Sequence, residues 1–277
     1  MLFYATLITA AVLSGFACWG FGGFEDLTWL WLLPVGFLVS LIALVIVLFV
    51  FLYICSCLVN TQRPQEKDSR FYRWLITVYA GFVRVLLQMR IHKKGLEKLP
   101  KDGRFMLVCN HIHDLDPVVL LHVLPRSQLA FISKRENGRK FIVGKVMHKI
   151  LCQPINREND REALKTILKC IDLLKKDMVS IGVFPEGYTS MDGLLHPFRS
   201  GVFKIAQKAN VPVVVCTIQG TNKVFRNATH LKSTDVQLHL LDVIPAEELK
   251  ACTTVELADR VHAMMAEDLG PENVLQD

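Results

Sequence analysis

The sequence predicts an α/β fold, a mixed sheet covered by helices, preceded by an N-terminal transmembrane helical hairpin. The first 59 residues are mostly apolar, and Glu25 and Asp26 are their only charged side chains. Beyond residue 95, short apolar runs alternate with longer amphipathic segments, as in a sheet packed against helices. Residues 60–104, which follow the hairpin and include the start of the α/β region, carry a net charge of +7, compared with +6 for the whole chain. We therefore divide the chain into two transmembrane helices (1–59), a linker with an interfacial amphipathic helix (60–94) and an α/β domain (95–277).

Two apolar runs form the predicted hairpin. Residues 1–23 and 27–59 are uncharged, and each can supply the roughly 20 apolar residues of a bilayer-spanning helix. Trp19, Trp29 and Trp31 lie near the turn between them, as expected of side chains at a membrane interface. The basic stretch after the hairpin places that side, and the N-terminus with it, in the cytoplasm. We therefore expect an integral membrane protein whose α/β domain faces the cytoplasm and, because the chain is compact, a bacterial cell membrane.

The basic region combines a linker with a predicted helix. Residues 60–69 are polar and contain Pro64, which is typical of a linker. From Arg70 to Met89, apolar residues recur at helical spacing and arginines are interspersed. An ordinary core helix would show the same pattern. Because the segment directly follows the hairpin, we favour an interfacial helix that lies on an anionic membrane surface.

The composition argues against two other classes of protein. The positive charge accompanies no nucleic-acid-binding motif, so no nucleic-acid partner is expected. The eight cysteines are scattered and include no Cys-x2-Cys pair, so neither a zinc site nor a redox motif is indicated.

The remainder of the chain alternates between predicted strands and helices. The expected strands are 105–109, 129–133, 151–155, 179–184, 211–218 and 236–243. The expected helices are 117–124, 138–149, 160–176, 199–208 and 254–268. The clearest helix is 160–176, whose apolar residues fall on one face. This alternation predicts a sheet with helices on both sides.

One strand-to-helix loop carries a candidate catalytic pair. His111 follows the apolar run 105–109, and Asp116 precedes Pro117, a residue that suits the first position of a helix. Asp116 is therefore the expected N-cap. In such a loop an imidazole can remove a proton from a hydroxyl group, and a carboxylate can orient the ring and stabilise the imidazolium. A helix cap beside an ordinary loop histidine is the alternative interpretation.

Two further segments extend this loop into a longer pattern. Phe184-Pro185-Glu186-Gly187 lies at the end of predicted strand 179–184, and Val211-Pro212 opens predicted strand 211–218. The order Asn-His-x4-Asp, Phe-Pro-Glu-Gly, Val-Pro resembles that of the 1-acylglycerol-3-phosphate O-acyltransferase (glycerolipid acyltransferase) family, over about residues 71–242. The resemblance implies transfer of an acyl chain from acyl-CoA or acyl-carrier protein to the sn-2 hydroxyl of lysophosphatidic acid, giving phosphatidic acid. It implies no cofactor beyond the thioester co-substrate. The partners expected are this thioester, a lysophospholipid and the lipid bilayer.

The resemblance also points to residues that would bind the acceptor phosphate, which needs cationic side chains and loop amides. Lys134 follows predicted strand 129–133, and Arg157 follows predicted strand 151–155. Glu186 and Gly187 form the Pro-Glu-Gly turn.

The sequence departs from the family pattern at two positions. Thr189 stands where the family has an arginine that contacts the acceptor phosphate, and His113 stands where the family often has serine. Thr189 carries no charge. We therefore expect either that Arg199, at the start of a predicted helix, supplies the missing charge, or that the acceptor is another lysolipid.

Two alternatives belong to other classes. A metal-dependent hydrolase could use His111 and His113 together with Asp114 and Asp116, but Leu115 interrupts the ligand pattern that such a site needs. No metal is therefore expected. A catalytically inactive membrane scaffold is the other alternative, and an acyl-transfer assay would distinguish it.

Overall fold

The computed structural model describes residues 1–190 and 192–275. The last two residues of the predicted α/β domain, Gln276 and Asp277, lie outside the described part, as does Met191. The α-helices described are α1 Leu2–Gly20, α2 Trp29–Cys57, α3 Arg70–Leu86, α4 Asp116–Val123, α5 Phe141–Lys149, α6 Asp160–Lys175, α7 Lys204–Ala209, α8 Val224–Thr229 and α9 Thr254–Leu269. The strands described are β1 Met89–Lys94, β2 Met106–Cys109, β3 Leu129–Lys134, β4 Gln153–Ile155, β5 Ser180–Val183, β6 Val213–Gln219 and β7 Thr234–Ile244.

The strands form one seven-stranded sheet in the order β1-β7-β6-β2-β5-β3-β4. Strands β6, β2, β5, β3 and β4 run parallel, β7 is antiparallel to β6, and β1 is parallel to β7. The predicted mixed sheet is therefore confirmed. The side chains of β2 and β5 are buried throughout. Parallel strands that are covered on both faces have continuous apolar sequences, which explains why the apolar runs located them.

Strand β1 was not predicted. The expected helix from Arg70 to Met89 ends at Leu86, and the sheet begins at Met89, ahead of the expected boundary at residue 95. Gln88 has a φ of 52°, so the backbone turns between helix and strand. The strand lies at an edge of the sheet, and half of its residues are lysine or arginine, as is common in edge strands. This composition hides it from a search for apolar runs.

The short helix α8 was also missed, because its six residues are too few for a helical pattern to stand out. The predicted helix 199–208 is divided between a 3-10 turn, Ser200–Phe203, and α7.

The first two helices pack against each other as an antiparallel hairpin. They contain 19 and 29 residues, and both are long and apolar enough to cross a membrane. The hydroxyl of Ser14 in α1 donates to the carbonyl of Leu33 in α2 at 2.6 Å, which satisfies a polar group between two apolar surfaces. Tyr53 near the end of α2 stacks on Phe141 of α5 at 5.0 Å between ring centroids. The hairpin is thus joined to the α/β domain.

Helix α3 is amphipathic, as predicted, but one of its arginines faces the protein interior. Arg73 is 9% exposed, and its guanidinium donates to the carbonyls of Leu129 and Ile150. This side chain therefore ties α3 to the start of β3 and the end of α5 and does not face a lipid surface. Phe71 and Trp74 remain exposed on the other side of the helix.

Candidate active site

The candidate site lies where three neighbouring parallel strands end. Loops after β2, β5 and β6 carry His111, Glu186 and Thr221, and these strands are adjacent in the sheet. Asn110 fastens the first loop to β6: its amide donates to the carbonyl of Ile218 at 2.9 Å and accepts from the N–H of the same residue at 2.8 Å. The carboxyl ends of parallel strands are where open α/β sheets place ligands.

His111 and Asp116 form the predicted pair. The imidazole Nδ1 lies 2.9 Å from Asp116 Oδ2, and the carboxylate is fully buried, with 0% exposure. Because an ionised carboxylate can only accept, Nδ1 carries the proton and donates it. In the neutral ring Nε2 is then unprotonated, which is the form that a general base requires.

Asp116 was expected to cap α4, but this prediction is wrong. The helix begins at Asp116 itself, and the residue before it, Leu115, occupies the N-cap position. The carboxylate turns back toward the loop, where Oδ2 also accepts from the N–H groups of Ile112 and His113 at 2.8 Å each. Its other oxygen accepts from the buried hydroxyl of Thr221. The carboxylate therefore organises the loop as well as the imidazole.

Glu186 lies beneath the same loop. It is 1% exposed, with Oε1 accepting from the backbone N–H of His111 at 2.7 Å and Oε2 from that of His196 at 3.1 Å. Burial raises the pKa of the Glu186 carboxyl to about 8, and the two backbone N–H groups act in the opposite direction. Because both oxygens already have backbone partners, the geometry favours a positioning role over the predicted contact with the acceptor phosphate.

Replacing this carboxyl should change how stability depends on pH. The ordinary pKa of a glutamate is 4.5, so between this value and 8 the folded state holds a proton that the unfolded state has released. Stability should therefore fall as the pH rises through that window. As the pH rises, we expect the Tm of the unsubstituted protein to fall by a few degrees more than the Tm of Glu186→Gln. A loss of about 1 kcal/mol of stability corresponds to about 2–4 °C at this chain length.

The measurement is thermal unfolding in detergent between about pH 5 and 9. Glu97→Gln, at an exposed position, is the matched control and should follow the unsubstituted protein. Parallel pH profiles for Glu186→Gln and the unsubstituted protein would contradict a buried proton at this site.

Gly187 allows Arg199 to cross the Pro-Glu-Gly turn. Its φ is 85°, and an added Cβ would lie 2.8 Å from Nε and 3.0 Å from Cδ of Arg199. The backbone N–H of Arg199 also donates to the carbonyl of Pro185 at 2.9 Å. A side chain at position 187 would be strained and would displace the guanidinium. The arginine expected to replace the missing family charge is thus held against this turn.

Arg157 and Arg199 are brought near each other. Partial burial and then the positive charge of Arg199 lower the pKa of the Arg157 guanidinium, and Glu136 opposes them. In the described part of the chain neither guanidinium forms an ion pair, since the arginine pairs there involve other residues. Lys134 is exposed at the end of β3, where it lies beside Ile155 of β4.

Thr189 contacts His111, the candidate general base, and the sequence analysis missed this contact. Its hydroxyl lies 3.0 Å from His111 Nε2. The next residue, Ser190, donates both its N–H and its hydroxyl to the carbonyl of His111, at 2.7 and 3.1 Å. Phe184 stacks on the imidazole at 4.1 Å between ring centroids. The sequence signal for this contact was the hydroxyl group of Thr189, just after the Phe-Pro-Glu-Gly segment. The sequence analysis interpreted Thr189 only as the absence of a positive charge.

The two histidines of the hydrolase alternative face different partners. His113 accepts from the backbone N–H of Leu115 at 3.1 Å, and its ring packs against Phe225. Among residues 1–190 and 192–275, no group of three or more His, Cys, Asp or Glu side chains is arranged to hold a metal ion.

Comparison with known proteins shows which proteins this chain is similar to. A family model described as Acyltransferase matches residues 90–219. The 1-acyl-sn-glycerol-3-phosphate acyltransferase of Bacillus subtilis (strain 168) is 28% identical over 191 residues, which cover 66% of this chain and 92% of that one. The chloroplastic 1-acyl-sn-glycerol-3-phosphate acyltransferase BAT2 of Brassica napus is 38% identical over 156 residues, which cover 56% of this chain and 44% of that one. Over these residues the chain therefore resembles the glycerolipid acyltransferases.

A solved structure of this family supports the same fold. The 1-acyl-sn-glycerophosphate (LPA) acyltransferase PlsC from Thermotoga maritima superposes with a TM-score of 0.62 at 21% identity, covering 82% of this chain and 89% of that one. The present chain spans under half the length of the two plant relatives, 44% for BAT2 and 43% for LPAT1 of Arabidopsis thaliana.

Proposed function

We propose that this glycerolipid acyltransferase is membrane-anchored and moves an acyl chain from acyl-CoA or acyl-carrier protein to the sn-2 hydroxyl of lysophosphatidic acid, giving phosphatidic acid. The observation that carries the proposal is the histidine–carboxylate pair, His111 and Asp116, whose unprotonated Nε2 is directed away from the carboxylate. It lies on the same strand-end surface as Arg157 and Arg199, which form no salt bridge with a described carboxylate.

The pair supplies the base that acyl transfer needs. As a hydroxyl attacks the thioester carbonyl it must lose its proton, and His111 Nε2 accepts it. The imidazolium formed is stabilised by the buried Asp116 carboxylate, which is already held by four donors and need not reorganise. Asp116 also keeps the ring in the required tautomer. The thioester is already activated, so the reaction requires no metal or further cofactor.

Arg157 and Arg199 are the proposed partners of the acceptor phosphate. A phosphate monoester carries about −1.5 to −2 charges at neutral pH, and desolvating it without cationic partners costs several kcal/mol. Two guanidiniums that are close enough to interact electrostatically, and that form no salt bridge with a described carboxylate, provide that charge. They offer a replacement for the arginine that the family has at position 189. Lys134 is proposed as a weaker, solvent-exposed contributor.

The test is a panel of acceptors assayed with labelled acyl-CoA: lysophosphatidic acid, a choline-bearing lysolipid and a monoacylglycerol. We expect lysophosphatidic acid to be preferred. Arg157→Ala should raise its KM by about 10–100-fold and change kcat less, because a charge-assisted contact made in both ground and transition states is lost. Arg199→Ala should act in the same direction with a smaller effect.

Arg126→Ala is the matched control. Arg126 is exposed and precedes β3, so it lies at the opposite end of the strands from the site. The KM of this variant for lysophosphatidic acid should therefore equal that of the unsubstituted protein. Equal use of the monoacylglycerol, with no effect of Arg157→Ala, would rule out recognition of an acceptor phosphate and indicate another acceptor.

The hairpin is the proposed membrane anchor. Helices α1 and α2 carry no charged side chain, and the turn between them holds Glu25 and Asp26. The basic residues that follow α2 favour a cytoplasmic α/β domain, where the thioesters are available, and a bacterial cell membrane is the proposed location. A reporter inserted at Asn60 should then read cytoplasmic, and one inserted between Gly23 and Glu25 external. The reverse pattern would overturn this orientation.

A further inference from the structure

Helix α6 exposes two leucines next to two basic side chains. Leu164 and Leu168 are 54% and 56% exposed, whereas other apolar residues of the same helix are buried in the core. Because they are four positions apart, the two leucines are neighbours on the helix surface. Arg161 and Lys165, each three positions before one of these leucines, are exposed beside them. The helix therefore presents an apolar pair bordered by positive charge.

Helix α7 packs against α6 and extends this charge. Lys204 and Lys208 are exposed and, being four positions apart, lie on one side of α7. In the described part of the chain, the four basic side chains form no salt bridge. We refer to the two leucines and these four residues as the α6–α7 surface, which consists of Arg161, Leu164, Lys165, Leu168, Lys204 and Lys208.

The acidic side chains of α6 leave this surface positive. Glu162 pairs with Arg135 at 3.4 Å, and Asp172 lies between two other lysines of the helix, at 3.5 and 2.9 Å. Asp160 is in the first turn, where the helix dipole favours a negative charge. The α6–α7 surface is therefore complementary to a partner that carries carboxylates around an apolar patch.

The surface lies on the face of the sheet opposite the hairpin. The connections through α4 and α5 step along the parallel strands in one direction, and those through α6 and α7 step back in the other. Because such crossovers are right-handed, α4 and α5 cover one face and α6 and α7 cover the other. The hairpin packs on the first side, since α2 contacts α5, and α1 contacts α3, which itself packs on α4. This position favours a soluble partner over the lipid bilayer.

Both helices of the surface begin beside the candidate site. Helix α6 starts just after Arg157, and α7 starts just after Arg199. At a rise of about 1.5 Å per residue, Leu168 lies only about 12 Å along α6 from its first residue. A partner bound on the α6–α7 surface is thus close to the strand ends, where a flexible arm that carries a thioester can reach the site.

We propose that the α6–α7 surface docks an acidic acyl-carrier protein that delivers the acyl thioester to the site. The inference rests on the proposed acyl-transfer function and deepens it by naming the partner that brings the acyl chain. Carboxylates of the carrier contact the four basic side chains, and an apolar side chain of the carrier covers the two leucines. Acyl-CoA presents a thioester without a protein surface, so it can serve as a donor but does not use this docking surface.

The experiment compares two acyl donors for the full chain in detergent, with lysophosphatidic acid as the acceptor. The donors are palmitoyl-CoA and a bacterial acyl-carrier protein charged with palmitate. The double variant Arg161→Glu, Lys165→Glu should raise the KM for the palmitoyl-carrier protein by about 10-fold or more, because two attractions become repulsions. Its kcat, and its KM for palmitoyl-CoA, should stay within about twofold of normal.

Two single variants test the apolar contact and the specificity of the charge effect. Leu168→Ser should raise the KM for the palmitoyl-carrier protein by about 3–10-fold, because less apolar surface is buried on docking. Lys101→Glu is the matched control. Lys101 is exposed and precedes β2, at the opposite end of the strands from the site, so both donors should give the kinetics of the unsubstituted protein.

Fluorescence anisotropy of a labelled palmitoyl-carrier protein measures docking without turnover. The unsubstituted protein should bind it, and the double variant should bind it about 10-fold more weakly. If this result is obtained but neither donor acylates lysophosphatidic acid, the docking surface stands and the proposed function falls.

Three results would overturn the docking surface. They are an equal rise in KM for both donors, unchanged binding of the carrier by the double variant, and an effect seen only in micelles that contain an anionic lipid, which would indicate a bilayer contact. In each case, transfer from palmitoyl-CoA to lysophosphatidic acid by the unsubstituted protein would leave the proposed function standing.

Discussion

His111→Ala is expected to lower kcat by about 10³–10⁴-fold, the largest loss of any single substitution in this protein. The imidazole is the proposed general base, which removes the proton of the acceptor hydroxyl. The fold should survive, because the backbone N–H and carbonyl of His111 keep their bonds to Glu186 and Ser190. Initial rates at saturating palmitoyl-CoA and lysophosphatidic acid, together with thermal unfolding, measure both effects.

His230→Ala is the control for this substitution. His230 is exposed and follows α8, so its removal should change neither turnover nor Tm. Turnover of His111→Ala within about tenfold of normal, in protein with an unchanged Tm, would exclude the general-base role.

Asp116→Asn is expected to lower kcat by about 10²–10³-fold while the protein remains folded. The asparagine carbonyl can accept from the imidazole and from the N–H groups of Ile112 and His113, and its amide can donate to the hydroxyl of Thr221. The hydrogen bonds and the ring tautomer are then kept, and only the negative charge that stabilises the imidazolium is lost. The loss should therefore be smaller than that of His111→Ala.

Asp116→Ala separates the catalytic from the structural contribution of this carboxylate. It leaves several buried donors without an acceptor, each costing about 1–3 kcal/mol, so a large drop in Tm should accompany the loss of turnover. A Tm for Asp116→Asn as low as that for Asp116→Ala would show that the charge itself holds the loop together. Normal turnover by Asp116→Asn would contradict the stabilisation of an imidazolium.

Some elements could be predicted because their signal is local. The buried parallel strands appear as apolar runs since both of their faces are covered, and α6 appears because its apolar residues repeat along one face. His111 and Asp116 lie five positions apart in one loop, so their partnership could be read from the sequence. Strand β1 gave no such signal, because an edge strand with charged side chains resembles a linker.

The sequence by itself determined the α/β class, the apolar hairpin helices and the His111–Asp116 pair, because each depends on neighbours along the chain. Only the tertiary structure decided what Glu186, Thr189 and Arg199 contact. Glu186 and Thr189 follow β5, and they reach His111 because β5 pairs with β2 in the sheet, across more than 70 positions of sequence. The approach of Arg199 to Arg157 likewise depends on how separate loops pack. Contacts of this kind follow from strand order, which the order of residues along the chain does not state.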